Sequence, residues 1–192
     1  MNWEQQHFAQ NTVREFERLG RTYERELKVP FVDLRRGVWQ PKGNDSKTGT
    51  PKWNNMAYGK DIAKEVYIGP TEKKLPSGRG RWSIEGSSRL EYEGIWLEGR
   101  PNGHGTFILD GRRVYQGQVL DGRPEGEGTY FWADGMTYWG HLTEGRFDGQ
   151  GTIRRANMEY RDFWKQGHRS GQGVFSWYLW LGQPPLQALI PA

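Results

Sequence analysis

Apolar and polar side chains alternate along two short segments separated by a turn. Residues 92–97 place alternate side chains on opposite faces, as a β-strand requires. Residues 98–102 have turn chemistry, because Gly99 is free to adopt a positive φ and Pro101 has no amide hydrogen to donate. Residues 103–109 alternate again. The whole stretch is therefore predicted to be a β-hairpin.

The same hairpin pattern recurs along the chain at a nearly constant interval. Four anchor tyrosines begin the copies at intervals of 23, 23 and 22 residues: Tyr92, Tyr115, Tyr138 and Tyr160. A fixed period of this size is typical of repeat proteins. Consecutive hairpins are predicted to pair into a single elongated, twisted antiparallel meander, so the fold class is an all-β repeat.

Large apolar side chains and glycines alternate on one predicted face of this sheet. A glycine beside a ring leaves room for the ring to lie over bare backbone and lets the sheet bend. A Gly-x-Gly pair recurs at one phase, as at Gly103 and Gly105, which indicates a structural role. The apolar columns are predicted to line a curved groove that grips a partner segment: Tyr92, Trp96, Phe107, Tyr115, Tyr130, Tyr138, Tyr160, Trp164 and Phe175.

The pattern Tyr-x-Gly-x-Trp-x-x-Gly-x-x-x-Gly-x-Gly, which starts at Tyr92, resembles the MORN repeat. With a degenerate first copy at Tyr67, the resemblance covers about five repeats. The copy that starts at Tyr160 departs from the pattern, because Asp162 stands where the other copies have glycine. This copy is therefore not expected to stack tightly on the preceding repeat, as is typical of a terminal, capping repeat. The predicted parts of the chain are a helix (1–29), an extended linker (30–66), the repeats (67–182) and an apolar tail (183–192).

The composition indicates a thin core made mostly of aromatic rings. Aromatic residues make up 14% of the 192 residues, against 34% hydrophobic residues in all. Cysteine is absent, which excludes a disulfide framework, a thiolate metal site and a cysteine nucleophile. With no long apolar run and with Glu4 in a polar start, we expect a soluble, intracellular protein. The net charge of +4 forms no concentrated basic stripe, so a nucleic-acid partner is not expected.

The N-terminal residues have the three- and four-residue spacing of an amphipathic α-helix over about residues 2–28. Pro30 ends this pattern. The helix either packs on its own sheet or docks on a partner, since an apolar stripe does not specify the surface that it covers. Its predicted docking residues are Trp3, Phe8, Val13, Phe16, Leu19 and Tyr23.

The last strand of the repeats is predicted to be an edge of the sheet. Residues 174–181 are apolar on both faces, and no charged side chain follows Arg169. Such an edge has to be covered, charged or paired. The tail of the same chain could cover it, but pairing with a partner or with a second copy as a homodimer is the favoured prediction.

Candidate catalytic chemistry is sparse. The four histidines have neither metal-ligand spacing nor an acid–base partner: His7, His104, His141 and His168. No glycine-rich loop leads from a strand into a helix, so the Gly-x-Gly pairs are not phosphate cradles. The prediction is a protein without catalytic activity, metal or cofactor.

Two functions of different classes fit this pattern. Proteins similar in this repeat occur in cilia, flagella and other cytoskeletal structures, so the resemblance implies a scaffold subunit of a multi-protein assembly, such as an axonemal complex. The alternative is a peripheral membrane adaptor, since the resemblance also implies binding of acidic phospholipids. Three arginines at one phase are its candidate lipid contacts: Arg100, Arg123 and Arg146. An acidic residue stands two positions before each of them, which favours surface ion pairs instead.

Overall fold

The computed structural model describes residues 7–14, 39–55, 65–84, 87–178 and 184–191. Residues 7–14 form a helix, α1. The remaining elements are strands, and the chain divides into two compact units, one of residues 31–124 and one of residues 1–30 with 125–192. We call them the N-terminal and the C-terminal sheet unit.

The N-terminal sheet unit contains nine strands among its described residues. They are β1 (Trp39–Asn44), β2 (Pro51–Asn55), β3 (Glu65–Ile68), β4 (Thr71–Glu72), β5 (Leu75–Pro76), β6 (Gly78–Ile84), β7 (Ser87–Leu97), β8 (Arg100–Leu109) and β9 (Arg112–Leu120). Their order in the sheet is β1-β2-β3-β6-β7-β8-β9, and β4 and β5 pair separately. Anchor and glycine positions face their counterparts, as in Tyr92 opposite Phe107 and Gly94 opposite Gly105.

The C-terminal sheet unit holds α1 and the remaining strands. They are β10 (Arg123–Phe131), β11 (Thr137–Thr143), β12 (Arg146–Arg155), β13 (Met158–Lys165), β14 (His168–Arg169), β15 (Gly173–Trp177) and β16 (Leu186–Ile190). Their order is β10-β11-β12-β13-β15-β16, with β14 beside β13. The pairings are antiparallel, and Gly140 lies opposite Gly151 as its repeat position predicts.

The predicted antiparallel meander of hairpins is confirmed, and the turns explain its regularity. Gly99 has a φ of 81°, and Glu98 before it has a φ of 48°. Positive φ at two successive turn residues is typical of the type I′ turn, whose twist matches that of the flanking strands. Asp121 and Glu144 have φ values of 49° and 52° at the same phase. The recurrent acidic residue is therefore a turn residue with a positive φ.

The structure differs from the predicted linker at residues 39–55, which form the hairpin β1–β2. Its polar, turn-rich run is the hairpin loop, in which the Asp45 carboxylate accepts the amide hydrogens of Lys47 (3.0 Å) and Thr48 (2.9 Å). Those bonds lower the pKa of Asp45, with the Thr48 amide as the largest cause. The strands are short and polar, so apolar alternation does not reveal them. Residues 30–38 and 56–64 lie outside the described residues.

Helix α1 packs within its own unit. Ala9 and Val13 are fully buried, and the Phe8 ring lies 6.2 Å from the Trp177 ring although Phe8 is 51% exposed. Burial of this face supports packing on the chain's own sheet over docking on a partner. The other predicted docking residues lie outside the described residues: Trp3, Phe16, Leu19 and Tyr23.

The edge of β15 is covered by the tail of the same chain, whereas pairing with another chain was the favoured prediction. β16 pairs antiparallel with β15 from Gly173 opposite Ile190 to Trp177 opposite Leu186. Alternation within β16 explains this, because Ala188 and Ile190 are buried while Leu189 is exposed. The tail thus supplies a strand with one apolar face of its own.

Candidate binding surface

The nine aromatic and apolar side chains predicted to line an open groove are core residues in the structure. Their exposed fractions lie between 0% and 6%: Tyr92, Trp96, Phe107, Tyr115, Tyr130, Tyr138, Tyr160, Trp164 and Phe175. The physical reason is that anchor rings such as Tyr92 and Tyr138 lie over the glycines of their own hairpins, and neighbouring rings pack against them. These side chains offer no open groove to a partner in this conformation.

The anchor tyrosines illustrate how this core is built. A Cβ atom added at Gly151 would lie 2.6 Å from Tyr138 Cζ, so the ring occupies the space that a side chain there would need. The Tyr138 hydroxyl donates to the carbonyl oxygen of His141 at 3.0 Å, and Tyr92 donates to that of Ile95 at 3.2 Å. Each ring is thereby buried with its polar atom satisfied.

A groove of about 1210 Å³ lies on the opposite face of the C-terminal sheet unit, which we call the outer face. It is lined by strands β10 to β13 and by β15. Two aromatic side chains of its lining are exposed, Trp139 at 59% and Phe163 at 53%. Across the strands, Trp139 lies opposite Thr152, Thr152 opposite Arg161, and Arg161 opposite Val174. The groove therefore combines exposed rings, hydroxyl groups and a cation.

Trp139 and Phe163 are not among the predicted site residues. Each is a neighbour in the chain of a core-face residue, Tyr138 and Trp164 respectively, so alternation puts them on the outer face. Alternation would have identified them as exposed aromatics once the tyrosine face was known to be the core.

Three charged side chains meet at one end of the groove. The Glu159 carboxylate accepts a hydrogen bond from Arg154 Nε at 2.6 Å and forms an ion pair with Arg161, whose Nε lies 2.5 Å away. The Glu159 side chain is 4% exposed, whereas the arginines are 65% and 64% exposed. We call this set the Arg–Glu–Arg triad.

The last repeat replaces a core glycine by a buried carboxylate. Asp162 accepts from the Tyr160 hydroxyl, from the Phe163 amide at 2.7 Å and from Arg169 Nε at 3.0 Å. Arg169 also donates to the Pro191 carbonyl oxygen at 2.8 Å, which lies just after β16. The sequence departure at Asp162 thus has a structural counterpart that joins the last repeat to the tail.

The three arginines predicted to contact lipid differ in their surroundings. Arg100 lies 3.4 Å from the Asp121 carboxylate and is 20% exposed, while Arg123 and Arg146 are exposed. The partner of Arg100 in this ion pair is the acidic residue of the next copy, whereas the acidic residue two positions before Arg100 is Glu98. One member of the row is thereby partly neutralised.

No group of three or more metal-ligating side chains occurs within residues 7–14, 39–55, 65–84, 87–178 and 184–191. The side chains of all four histidines are exposed. No helix of these ranges is long and apolar enough to cross a bilayer.

Comparison with known proteins identifies a repeat family in the chain. Three segments match the family model of the MORN repeat: residues 92–110, 115–137 and 163–178. The first two matches begin at anchor tyrosines of the hairpin repeat. A search of curated proteins returns no match.

Proposed function

This chain is a MORN-repeat protein, and we propose that it is a non-catalytic scaffold subunit that holds other proteins within a larger assembly. MORN repeats are modules of protein interaction or membrane binding. The proposed assembly is cytoskeletal, ciliary or flagellar, such as an axonemal complex, as the resemblance of the repeats implies. The proposed partners are other protein subunits.

The observation that carries this proposal is the groove on the outer face of the C-terminal sheet unit. Trp139 and Phe163 keep more than half of their area exposed in a concave surface. Exposed aromatic rings in a recess favour binding, because each ring contributes a large apolar area when a partner covers it. The core rings cannot serve this purpose, since the hairpins already bury them. The groove thus replaces the tyrosine columns as the proposed partner surface.

Affinity purification of the tagged full chain from its native cells, at moderate salt and with mass spectrometry, tests this proposal. We expect the wild-type chain to be recovered in a defined set of subunits. The double variant Trp139→Ser/Phe163→Ser is expected to lose at least part of that set, because it removes the exposed rings without touching the core.

The matched control is Leu97→Ser/Leu120→Ser, which removes two similarly exposed apolar side chains from the N-terminal sheet unit. Circular dichroism establishes that both double variants are folded. Recovery of the wild-type chain alone would contradict the scaffold function. Equal recovery with both variants would contradict the assignment of the groove.

A further inference from the structure

The Arg–Glu–Arg triad carries more positive charge than its carboxylate neutralises. Glu159 presents one oxygen to Arg154 and the other to Arg161, so a single buried anion holds two cations. Burying a carboxylate requires a charged partner, but one arginine is enough for that purpose. The second arginine leaves the cluster of two arginines and one glutamate with a formal net charge of +1.

Strand register assembles the triad. Arg154 and Glu159 face each other across the β12–β13 hairpin, and Arg161 follows Glu159 by two residues on the same face. Both arginines approach the carboxylate through Nε. Within the described part of the chain, their terminal Nη groups contact no other acceptor. Paired Nη donors are the groups that bind a carboxylate side by side.

The exposed rings lie within reach of this cluster. Trp139 and Arg161 flank Thr152 on adjacent strands, so their backbones are about 10 Å apart, two interstrand spacings. Phe163 follows Arg161 by two residues on the same face of β13. An extended polypeptide advances by about 3.3 Å per residue, so three or four residues span the distance from the rings to the guanidinium groups.

We propose that the outer-face groove binds a partner polypeptide segment that places an aspartate or glutamate carboxylate on Arg154 and Arg161 and an apolar side chain on Trp139 and Phe163. This inference rests on the proposed scaffold function and names the chemistry of its partner.

Charge complementarity at the triad selects an acidic side chain, because two guanidinium groups meet one buried carboxylate there. The acidic residues of the lining are Glu127, on β10, and Asp162, which pairs with Arg169. The volume of about 1210 Å³ exceeds that of typical small-ligand sites and suits a segment of a polypeptide.

A recess also favours a polypeptide over a membrane surface. A bilayer contacts side chains that project from a protein, whereas a segment of chain can enter a concave groove. Anionic vesicles therefore serve as the competing outcome of the test.

The test is phage display of random dodecapeptides on the full-length chain, followed by fluorescence anisotropy with the selected peptides as synthetic probes. We expect enrichment of Asp and Glu beside Trp, Phe, Leu or Ile. The variant Arg154→Gln/Glu159→Gln/Arg161→Gln removes the triad without stranding a buried charge. It is expected to weaken binding of those peptides by about 10- to 100-fold, the range for charge-assisted hydrogen bonds.

The matched control is Arg79→Gln/Arg81→Gln/Glu91→Gln, which removes the same charges from the N-terminal sheet unit, where Arg81 pairs with Glu91. Retained binding by this variant excludes a general effect of net charge. The variant Arg161→Lys keeps the charge but loses the planar donor pair, and it is expected to weaken binding as well.

The outcomes separate this inference from the scaffold function. Peptides that need Trp139 and Phe163 but carry no acidic enrichment would overturn the inference and leave the groove as a binding surface. If none of the selected peptides loses its binding in the Trp139→Ser/Phe163→Ser variant, both the inference and the assignment of the groove as a binding surface are overturned. Binding of phosphatidylserine vesicles that the triad variant loses, without peptide binding, would overturn the inference in favour of a membrane surface.

Discussion

At the scale of the residue, the fold depends on the contact between an anchor tyrosine and the bare backbone beneath it. Gly140 and Gly151 face each other across β11 and β12, and a Cβ at Gly140 would lie 2.6 Å from the Cα of Gly151. Tyr138 covers this pair and stacks on Phe147 with ring centroids 3.6 Å apart. Glycine is required here because the ring and a side chain would occupy the same space.

Gly151→Ala is therefore expected to destabilise the protein by overpacking. The added Cβ would lie 2.6 Å from Tyr138 Cζ and closer still to Cε2, and relief of such a clash costs roughly 1–3 kcal/mol. Denaturant unfolding measures the loss. The control is Gly135→Asn, at a glycine with open space around it and a φ of 84° that asparagine tolerates. An equal effect at both positions would contradict the account of the tyrosine cover.

Burial of the anchor tyrosines also predicts sensitivity to alkaline pH. Desolvation raises the pKa of three of them, Tyr92, Tyr138 and Tyr160, and that of Tyr67 in the degenerate first copy, above the ordinary value of about 10. A raised pKa means that the fold favours the neutral phenol. Its contribution to stability is complete below about pH 10 and is lost as the pH rises further.

We expect the phenolate absorbance of these tyrosines to appear together with loss of the β-sheet circular dichroism signal in an alkaline titration. The variant Tyr138→Phe removes one of the titrating groups, so its stability should fall less steeply with pH than that of the wild-type chain. Full phenolate absorbance in a chain that keeps its sheet signal would contradict this prediction.

At the scale of the element, the last repeat closes the sheet with a charged pair in place of two uncharged residues. Asp162 takes the phase of Gly94, Gly117 and Gly140, while Arg169 takes the phase of Pro101, Pro124 and Phe147. The Arg169 guanidinium lies over the Tyr160 ring at 5.3 Å, where Phe147 lies over Tyr138 in the preceding repeat. Together the pair preserves the ring packing and adds bonds to the tail.

The side chains of Asp162 and Arg169 are thus expected to be energetically coupled. Arg169→Leu leaves the Asp162 carboxylate buried and unpaired, since that side chain is 0% exposed, and should cost about 3–5 kcal/mol in the free energy of unfolding. The double variant Asp162→Gly/Arg169→Pro restores the pattern of the first repeat and should recover most of that loss. Denaturant unfolding of the single and double variants measures the coupling.

Arg112→Leu, at an exposed arginine, is the control and should change stability little. If the effects of Asp162→Gly and Arg169→Pro simply add in the double variant, the two residues are independent and the proposed link between repeat and tail is contradicted.

At the scale of the whole molecule, the scaffold and membrane functions differ in how they use surface arginines. A scaffold predicts that vesicles containing phosphatidylinositol phosphates do not sediment the chain at physiological salt. The ion pair of Arg100 with Asp121 at 3.4 Å supports this expectation, because part of the arginine row is already neutralised. Sedimentation that Arg100→Glu/Arg123→Glu/Arg146→Glu abolishes would favour the membrane adaptor, provided that Arg79→Glu/Arg81→Glu/Arg112→Glu retains it.

Much of the fold could be predicted because its signals are local. Alternation identifies the strands, Gly99 and its counterparts identify the turns, and a repeat interval of 22 or 23 residues identifies the succession of hairpins. The hairpin β1–β2 escaped prediction, since its short strands carry proline and polar residues without apolar alternation. A strand that is stabilised by pairing with a distant segment need not show apolar alternation, so local periodicity does not reveal it.

The sequence by itself therefore determined the repeat, its hairpins, its turns and the pairing of tyrosines with glycines. Only the tertiary structure decided which face is closed: a column of rings has the same spacing whether it lines an open groove or fills a core. Closure left Trp139 and Phe163 exposed on the other face and brought Arg154, Arg161 and Glu159 together. Both results depend on cross-strand register and on which surfaces pack, and these arise only when distant segments of the chain meet.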